Sequence, residues 1–165
     1  MTTFEKIISL LNTHQVEFNL IEHSAEGRTD IISEMRGNLL QQAAKAMVLQ
    51  VFNGSEKTNY VLAIVPGNCR VDFKKVAILA GGKKSSFAPP EIAHELTQCQ
   101  MGAIPPFSFD DRLTLRIDER LCHVGKLYFN AGELDKSISL SVDDYFRMVG
   151  RHCISEISAL ATGSI

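Results

Sequence analysis

No apolar run in this sequence approaches the ~20 residues needed to cross a bilayer, which excludes a membrane-spanning helix. Residues 1–15 also lack the unbroken apolar stretch of a secretory signal, because Glu5, Lys6 and His14 interrupt them; a cytoplasmic protein is expected. Positive charge is in short supply: 17 Lys and Arg against 19 Asp and Glu leave a formal net charge of −2. Broad neutralisation of nucleic-acid phosphates is therefore excluded, and only a local basic patch touching a few phosphates is open to the chain. Cysteine is sparse, at positions 69, 99, 122 and 153, with no Cys-x-x-Cys pair. In a reducing compartment these four read as thiols, most simply as small apolar filler.

Familiar catalytic signatures are missing too. The sequence has no Gly-x-Ser-x-Gly, no phosphate-binding P-loop, no His-Glu-x-x-His and no dinucleotide fingerprint after a strand. Its histidines, at 14, 23, 94, 123 and 152, are too widely spaced for a local metal motif, so neither metal nor cofactor is expected. Cys122 and His123 are adjacent, but strand neighbours point to opposite faces; a cysteine–histidine dyad would need long-range assembly. No repeat, linker or low-complexity segment interrupts the chain, and residues 1–165 read as one domain.

What is present alternates between helix and strand signals. Thr2 and Glu5 have capping-box spacing before the stripe Phe4, Ile7, Ile8 and Leu11. Val16, Phe18 and Leu20 alternate as a half-buried strand. Thr29 to Met35 predicts a short helix, capped by Thr29 or Asp30 and stopped by Gly37. Ala43 to Phe52 and Tyr60 to Val65 predict a hairpin joined through Asn53-Gly54, with Gly54 to Asn59 as an exposed loop. Helices are expected over Asp72 to Leu79 and from Pro89-Pro90 to Thr97. Strands follow around Leu113 to Ile117, Lys126 to Asn130 and Ser137 to Leu140, and Ser141 caps a last helix bearing Val142, Tyr145, Phe146 and Val149. Hairpins mixed with helices favour a mixed α/β fold over a parallel Rossmann-type sheet.

Two features carry chemistry. Lys45 sits inside Ala43-Ala44-Lys45-Ala46-Met47-Val48-Leu49 and shares a strand face with Met47, Leu49 and Val51. A strand lysine in such company either blunts a sheet edge or offers a cation to an anion at a cleft floor. Gly102-Ala103-Ile104-Pro105-Pro106 combines a glycine that permits close backbone approach with two stiffening prolines. Such a loop is either a plain turn or a rigid main-chain cradle for a substrate. Arg28, Arg36, Lys74-Lys75 and Lys83-Lys84 are solvated surface by default, and phosphate contacts otherwise.

Together these stretches resemble the YbaK/prolyl-tRNA synthetase editing-domain family of aminoacyl-tRNA deacylases, in wording closest to its YeaK-like branch. The resemblance rests on Arg36-Gly37 leading to Ala43-Ala44-Lys45-Ala46-Met47-Val48, on Val61 to Val65, and on Gly81-Gly82-Lys83-Lys84 with Phe87-Ala88. It continues through Glu95-Leu96-Thr97 to Gly102-Ala103-Ile104-Pro105-Pro106-Phe107, then Phe129-Asn130-Ala131-Gly132 and Ser137-Ile138-Ser139-Leu140. It implies a curved, mixed, largely antiparallel sheet with surrounding helices, and hydrolysis of mischarged aminoacyl-tRNA without metal or covalent nucleophile. By resemblance, Lys45 holds the terminal adenosine or its phosphate, and Gly102, Ala103, Ile104, Pro105 and Pro106 cradle the aminoacyl group. Arg36 and Lys83 are further candidates for substrate binding.

One departure bears on mechanism. The residue before the motif proline is often small and polar in the family, and here it is Pro105. Pro105 and Pro106 carry no N–H, so an oxyanion donor must come from Ala103, Ile104 or outside the loop. The expected partner is the acceptor end of an aminoacyl-tRNA carrying a small noncognate amino acid, with an aminoacyl-tRNA synthetase as a second candidate. A non-catalytic module binding tRNA ends or a synthetase is the alternative, and a thiol enzyme acting on a small metabolite is a third reading.

Overall fold

A computed structural model describes residues 1–161. The chain opens with helix α1 (Thr3–Thr13), where Thr2 and Glu5 complete the capping box and Ile7 and Leu11 are fully buried. Strand β1 (Phe18–Glu22) leads to helix α2 (Thr29–Arg36), which ends at Gly37 in the left-handed conformation, φ +77°. The expected cap of α2 is not found: Arg28 holds the N-cap position and makes no side-chain capping bond. Strands β2 (Ala44–Asn53) and β3 (Glu56–Pro66) form the predicted hairpin. Its connection is only Gly54-Ser55 rather than the expected Gly54–Asn59 loop. Gly54 supplies a φ of +74° that closes a two-residue turn, and a bulge after Val51 absorbs the register mismatch.

The chain continues through β4 (Cys69–Val71), α3 (Phe73–Leu79, capped by Asp72), β5 (Lys84–Phe87) and α4 (Pro90–Thr97). After the Gly102–Pro106 segment come β6 (Leu113–Asp118), β7 (Lys126–Glu133), β8 (Lys136–Ser141) and α5 (Val142–Val149), the last capped by Ser141. Short strands β9 (Ile154–Ser155) and β10 (Ser158–Leu160) complete the described chain. Strands β4, β5, β9 and β10 were not anticipated. They are two to four residues long, too short to show a period.

The main sheet runs β5-β2-β3-β6-β9, antiparallel on the β5 side and parallel where β3 meets β6 and β6 meets β9. A second, antiparallel sheet runs β1-β8-β7, and β4 pairs with β10. The fold is thus the mixed α/β arrangement expected. Strand alternation divides the core in two. Ala44, Val48, Leu62 and Ile64 face the larger cluster with α1, β7, β8 and α5. Leu49, Val51, Val61, Ala63 and Val65 face the smaller one with Cys69, Val76 and Ile157. Burial on both faces explains why β2 and β3 read as near-continuous apolar runs.

Candidate active site

Strand β5 pairs only with the second half of β2, from Leu49 to Phe52. The first half has β3 on one side, and on the other only an isolated bridge from Ala43 to Tyr128 of β7. A cavity of about 430 Å³ occupies this gap, within the size range of small-molecule sites. Its walls are Ala43 and the adjoining Ala44 to Met47 of β2, Tyr128 to Asn130 of β7, the segment from Glu26 through the start of α2, and Met101, Gly102 and Ile104. The strand lysine and the Gly/Pro loop therefore meet at one cleft.

Lys45 is half-buried, and its Nζ donates to the Cys69 carbonyl at 2.8 Å. Burial pulls its ammonium below the ordinary lysine value; Cys69 works against that shift and Arg70 with it. Arg36 is held more tightly than a solvated surface arginine. Its Nε donates to Asn38 Oδ1 at 2.9 Å, its Nη1 donates to Ser137 Oγ at 3.1 Å, and its guanidinium lies 6.0 Å from the centre of the Tyr128 ring. Burial brings its pKa down to about 10. Among the described residues, neither cation makes a salt bridge to a carboxylate. Glu26 also lines the cavity, but its carboxylate accepts from the Gly27 and Arg28 N–H groups, at 3.0 and 2.9 Å. Two cations without acidic partners among the described residues give the cleft the charge to hold an anion.

The Gly102–Pro106 segment is pinned by its main chain. Gly102 has φ +87°, and a Cβ there would lie 2.6 Å from Gly27 Cα, so glycine is required by both conformation and contact. The Gly102 carbonyl accepts from Asn130 Nδ2 at 2.7 Å, and the Ala103 carbonyl from the Gly132 N–H at 3.0 Å. At the other end the Tyr145 hydroxyl, fully buried, donates to the Pro106 carbonyl at 2.7 Å. The Ala103 N–H is committed to the Gln100 carbonyl at 3.0 Å, which removes one of the two donors expected from the loop. The Ile104 N–H makes no hydrogen bond among the described residues.

The structure brings Lys45, Arg36, Gly102 and Ile104 to the cavity, but not all the expected residues. Ala103, Pro105 and Pro106 are buried behind its wall. Lys83 is exposed and does not line it: its N–H bonds to Phe52 at the far end of β2, about 23 Å along the strand from Lys45. Sequence reasoning missed Gly27, Met47, Tyr128 and Asn130 as lining residues. The one signal for them was Asn130, a lone amide within the apolar run of β7. None of the cysteines lines the cavity, and burial pushes the Cys99, Cys122 and Cys153 thiols up, away from the nucleophilic thiolate. No cluster of three His, Cys, Asp or Glu positioned for a metal occurs among the described residues.

The fold is shared with solved structures. One described as hypothetical protein APE2540 superposes with a TM-score of 0.81 at 17% identity, covering 93% of this chain and 99% of the other. Another, described as a candidate trans-editing enzyme for prolyl tRNA synthetase, gives 0.77 at 20% identity over 96% and 98% of the two chains. Residues 29–148, which hold every cavity-lining residue except Glu26, Gly27 and Arg28, match the family model described as the aminoacyl-tRNA editing domain. The chain belongs to that family. It is 40% identical over 147 residues to the multifunctional Ser/Thr-tRNA deacylase ProXp-y of Escherichia coli K12, covering 88% of this chain and 87% of that protein.

Proposed function

We propose that this protein is an aminoacyl-tRNA deacylase that removes a small noncognate amino acid from the 3′ end of a tRNA, acting in trans on products released by a synthetase. The observation that carries the reading is the convergence of Lys45 and Arg36, both without acidic partners among the described residues, with Gly102 and Ile104 in one cleft. The similarity to a Ser/Thr-tRNA deacylase supports the same substrate class. In this reading Lys45 binds the phosphate of the terminal nucleotide, since it keeps two ammonium hydrogens beyond the one given to Cys69. Arg36, tied into the cleft wall, contributes field rather than direct contact.

The reaction adds water to the ester carbonyl carbon and breaks the bond to the ribose oxygen. The ribose hydroxyl recovers a proton, and the amino acid leaves as a carboxylate. An aminoacyl ester is already activated, so placing the water and stabilising the oxyanion account for most of the required rate. The neighbouring ribose hydroxyl of the substrate orients the water. The Ile104 N–H is the loop donor left for the oxyanion. Ile32, Met47 and Ile104 give the cleft apolar walls that exclude larger side chains, and discrimination by one methylene is worth only about 1–3 kcal/mol. The test is a panel of mischarged tRNAs with purified protein. Seryl, threonyl or alanyl esters should be hydrolysed, and Lys45→Ala should lower kcat/KM by about 10- to 150-fold, the loss of one charged hydrogen bond. Protection of the ester instead of hydrolysis would establish a binding module, and wild-type turnover by Lys45→Ala would reject the anchoring role.

A further inference from the structure

Asn130 is 7% exposed and Ser137 fully buried, yet together they form a polar network inside an otherwise apolar region. Asn130 Nδ2 donates to two carbonyls, Gly102 at 2.7 Å and Glu26 at 3.1 Å. A carbonyl only accepts, so both amide hydrogens are assigned and Oδ1 must face the other way. There it accepts from Ser137 Oγ at 2.9 Å, and Ser137 Oγ in turn accepts from Arg36 Nη1 at 3.1 Å. One side chain thereby ties together two walls of the cleft, the Glu26 segment and the Gly102 loop, and is itself held by a chain of bonds leading to Arg36.

The direction of the loop peptides follows from these ties. A trans peptide sets its C=O and N–H on opposite edges of one plane. Holding the Gly102 carbonyl toward β7 turns the Ala103 N–H away, where it meets Gln100. Holding the Ala103 carbonyl toward Gly132 likewise fixes the direction of the Ile104 N–H, which is left without a partner among the described residues. We propose that Asn130 is a positioning residue for ester hydrolysis: by clamping the Gly102 carbonyl it holds the Gly102–Ala103 peptide to which the Ala103–Ile104 peptide is joined, and so, together with Gly132 on the Ala103 carbonyl, fixes where the Ile104 N–H meets the developing oxyanion. This rests on the deacylase reading above. Asn130 acts through the main chain, so its loss should appear in kcat, while substrate affinity stays with Lys45.

The experiment compares full-length wild type with Asn130→Ala, Asn130→Asp and Ser137→Ala. It uses steady-state deacylation of a mischarged tRNA that the wild type hydrolyses, and amide hydrogen exchange over residues 100–106. Asn130→Ala and Asn130→Asp should lower kcat by roughly 30- to 300-fold with KM changed less than about three-fold. Ser137→Ala, which loosens Asn130 without removing it, should lower kcat by about 3- to 10-fold, and adding it to Asn130→Ala should cost less than it does alone, the remainder coming from the Arg36 and His23 contacts of the same hydroxyl. The Ala103 amide should exchange faster in every variant. If Asn130→Ala does not fold, Ser137→Ala carries the same test at smaller amplitude. Unchanged kcat, a loss confined to KM, or unaltered exchange at Ala103 overturns the proposal. A wild type inactive on every mischarged tRNA rejects the deacylase reading and with it any role in hydrolysis, whereas the exchange result still reports on the clamp.

Discussion

Gly102→Ala would force apart two walls of the cleft. The added Cβ lies 2.6 Å from Gly27 Cα, 2.8 Å from its carbonyl oxygen and 3.1 Å from its carbonyl carbon, all main-chain atoms with no rotamer to relieve them. Ordinary contact requires the two segments to separate by about 0.8 Å. The φ of +87° adds the left-handed cost of a side chain, about 1–2 kcal/mol. With the displaced packing the total is about 2–4 kcal/mol, which lowers Tm by roughly 4–16 °C for a chain of this size. A shift of that length at the reacting centre costs roughly 100-fold in kcat/KM. The internal control is Gly27→Ala on the same interface: its Cβ meets nothing nearer than 3.4 Å, and Gly27 has no positive φ. Its Tm should stay within about 2 °C of wild type. The assays are thermal unfolding and deacylation of one mischarged tRNA. Equal loss of Tm in both variants, or a Gly102→Ala protein with wild-type Tm and turnover, would refute the packing argument.

Three further outcomes follow from the structure. Because burial lowers the Lys45 pKa, its ammonium loses its proton at a lower pH than an ordinary lysine. Binding of a non-hydrolysable aminoacyl-nucleotide analogue should be full while that group is charged and weaken as pH rises through the lowered value. Lys45→Ala should not show this limb, and identical pH dependence in both proteins would count against phosphate anchoring. Tyr145→Phe removes the side-chain bond to the Pro106 carbonyl and should cost about 1–3 kcal/mol, measured by denaturant unfolding; an unchanged midpoint would show that the loop is held without it. Lys83→Ala should leave kcat/KM within about two-fold of wild type, since an exposed charge far beyond a Debye length is screened from the cleft. A ten-fold loss would return Lys83 to the binding surface.

Local signals were read correctly where a single element contains its own cause. The capping box at Thr2 and Glu5, the Gly37 stop, the Asp72 and Ser141 helix starts and the β2–β3 hairpin depend on residues within a few positions of each other. Lys45 was legible because a charge in an apolar strand demands a reason, and the Gly102–Pro106 loop because glycine and proline restrict the backbone wherever they stand. The α2 cap failed because the helix begins one position earlier than its capping residues suggest: Thr29 and Asp30 already lie inside it, and Arg28, whose side chain has no acceptor, holds the N-cap position.

Composition and pattern alone therefore determined a mixed α/β chain with one unusual lysine and one stiff loop. Only the tertiary structure decided which basic residues belong with them. Arg36 and Lys83 look alike in the sequence, yet Arg36 is drawn into the wall by Asn130 and Ser137, 94 and 101 residues away, while Lys83 lies at the far end of β2. Whether the Ile104 N–H is free also depended on Asn130 and Gly132 from another strand. Such pairings arise because folding must satisfy buried polar groups across the whole molecule, and periodicity records which face is buried but not what it meets.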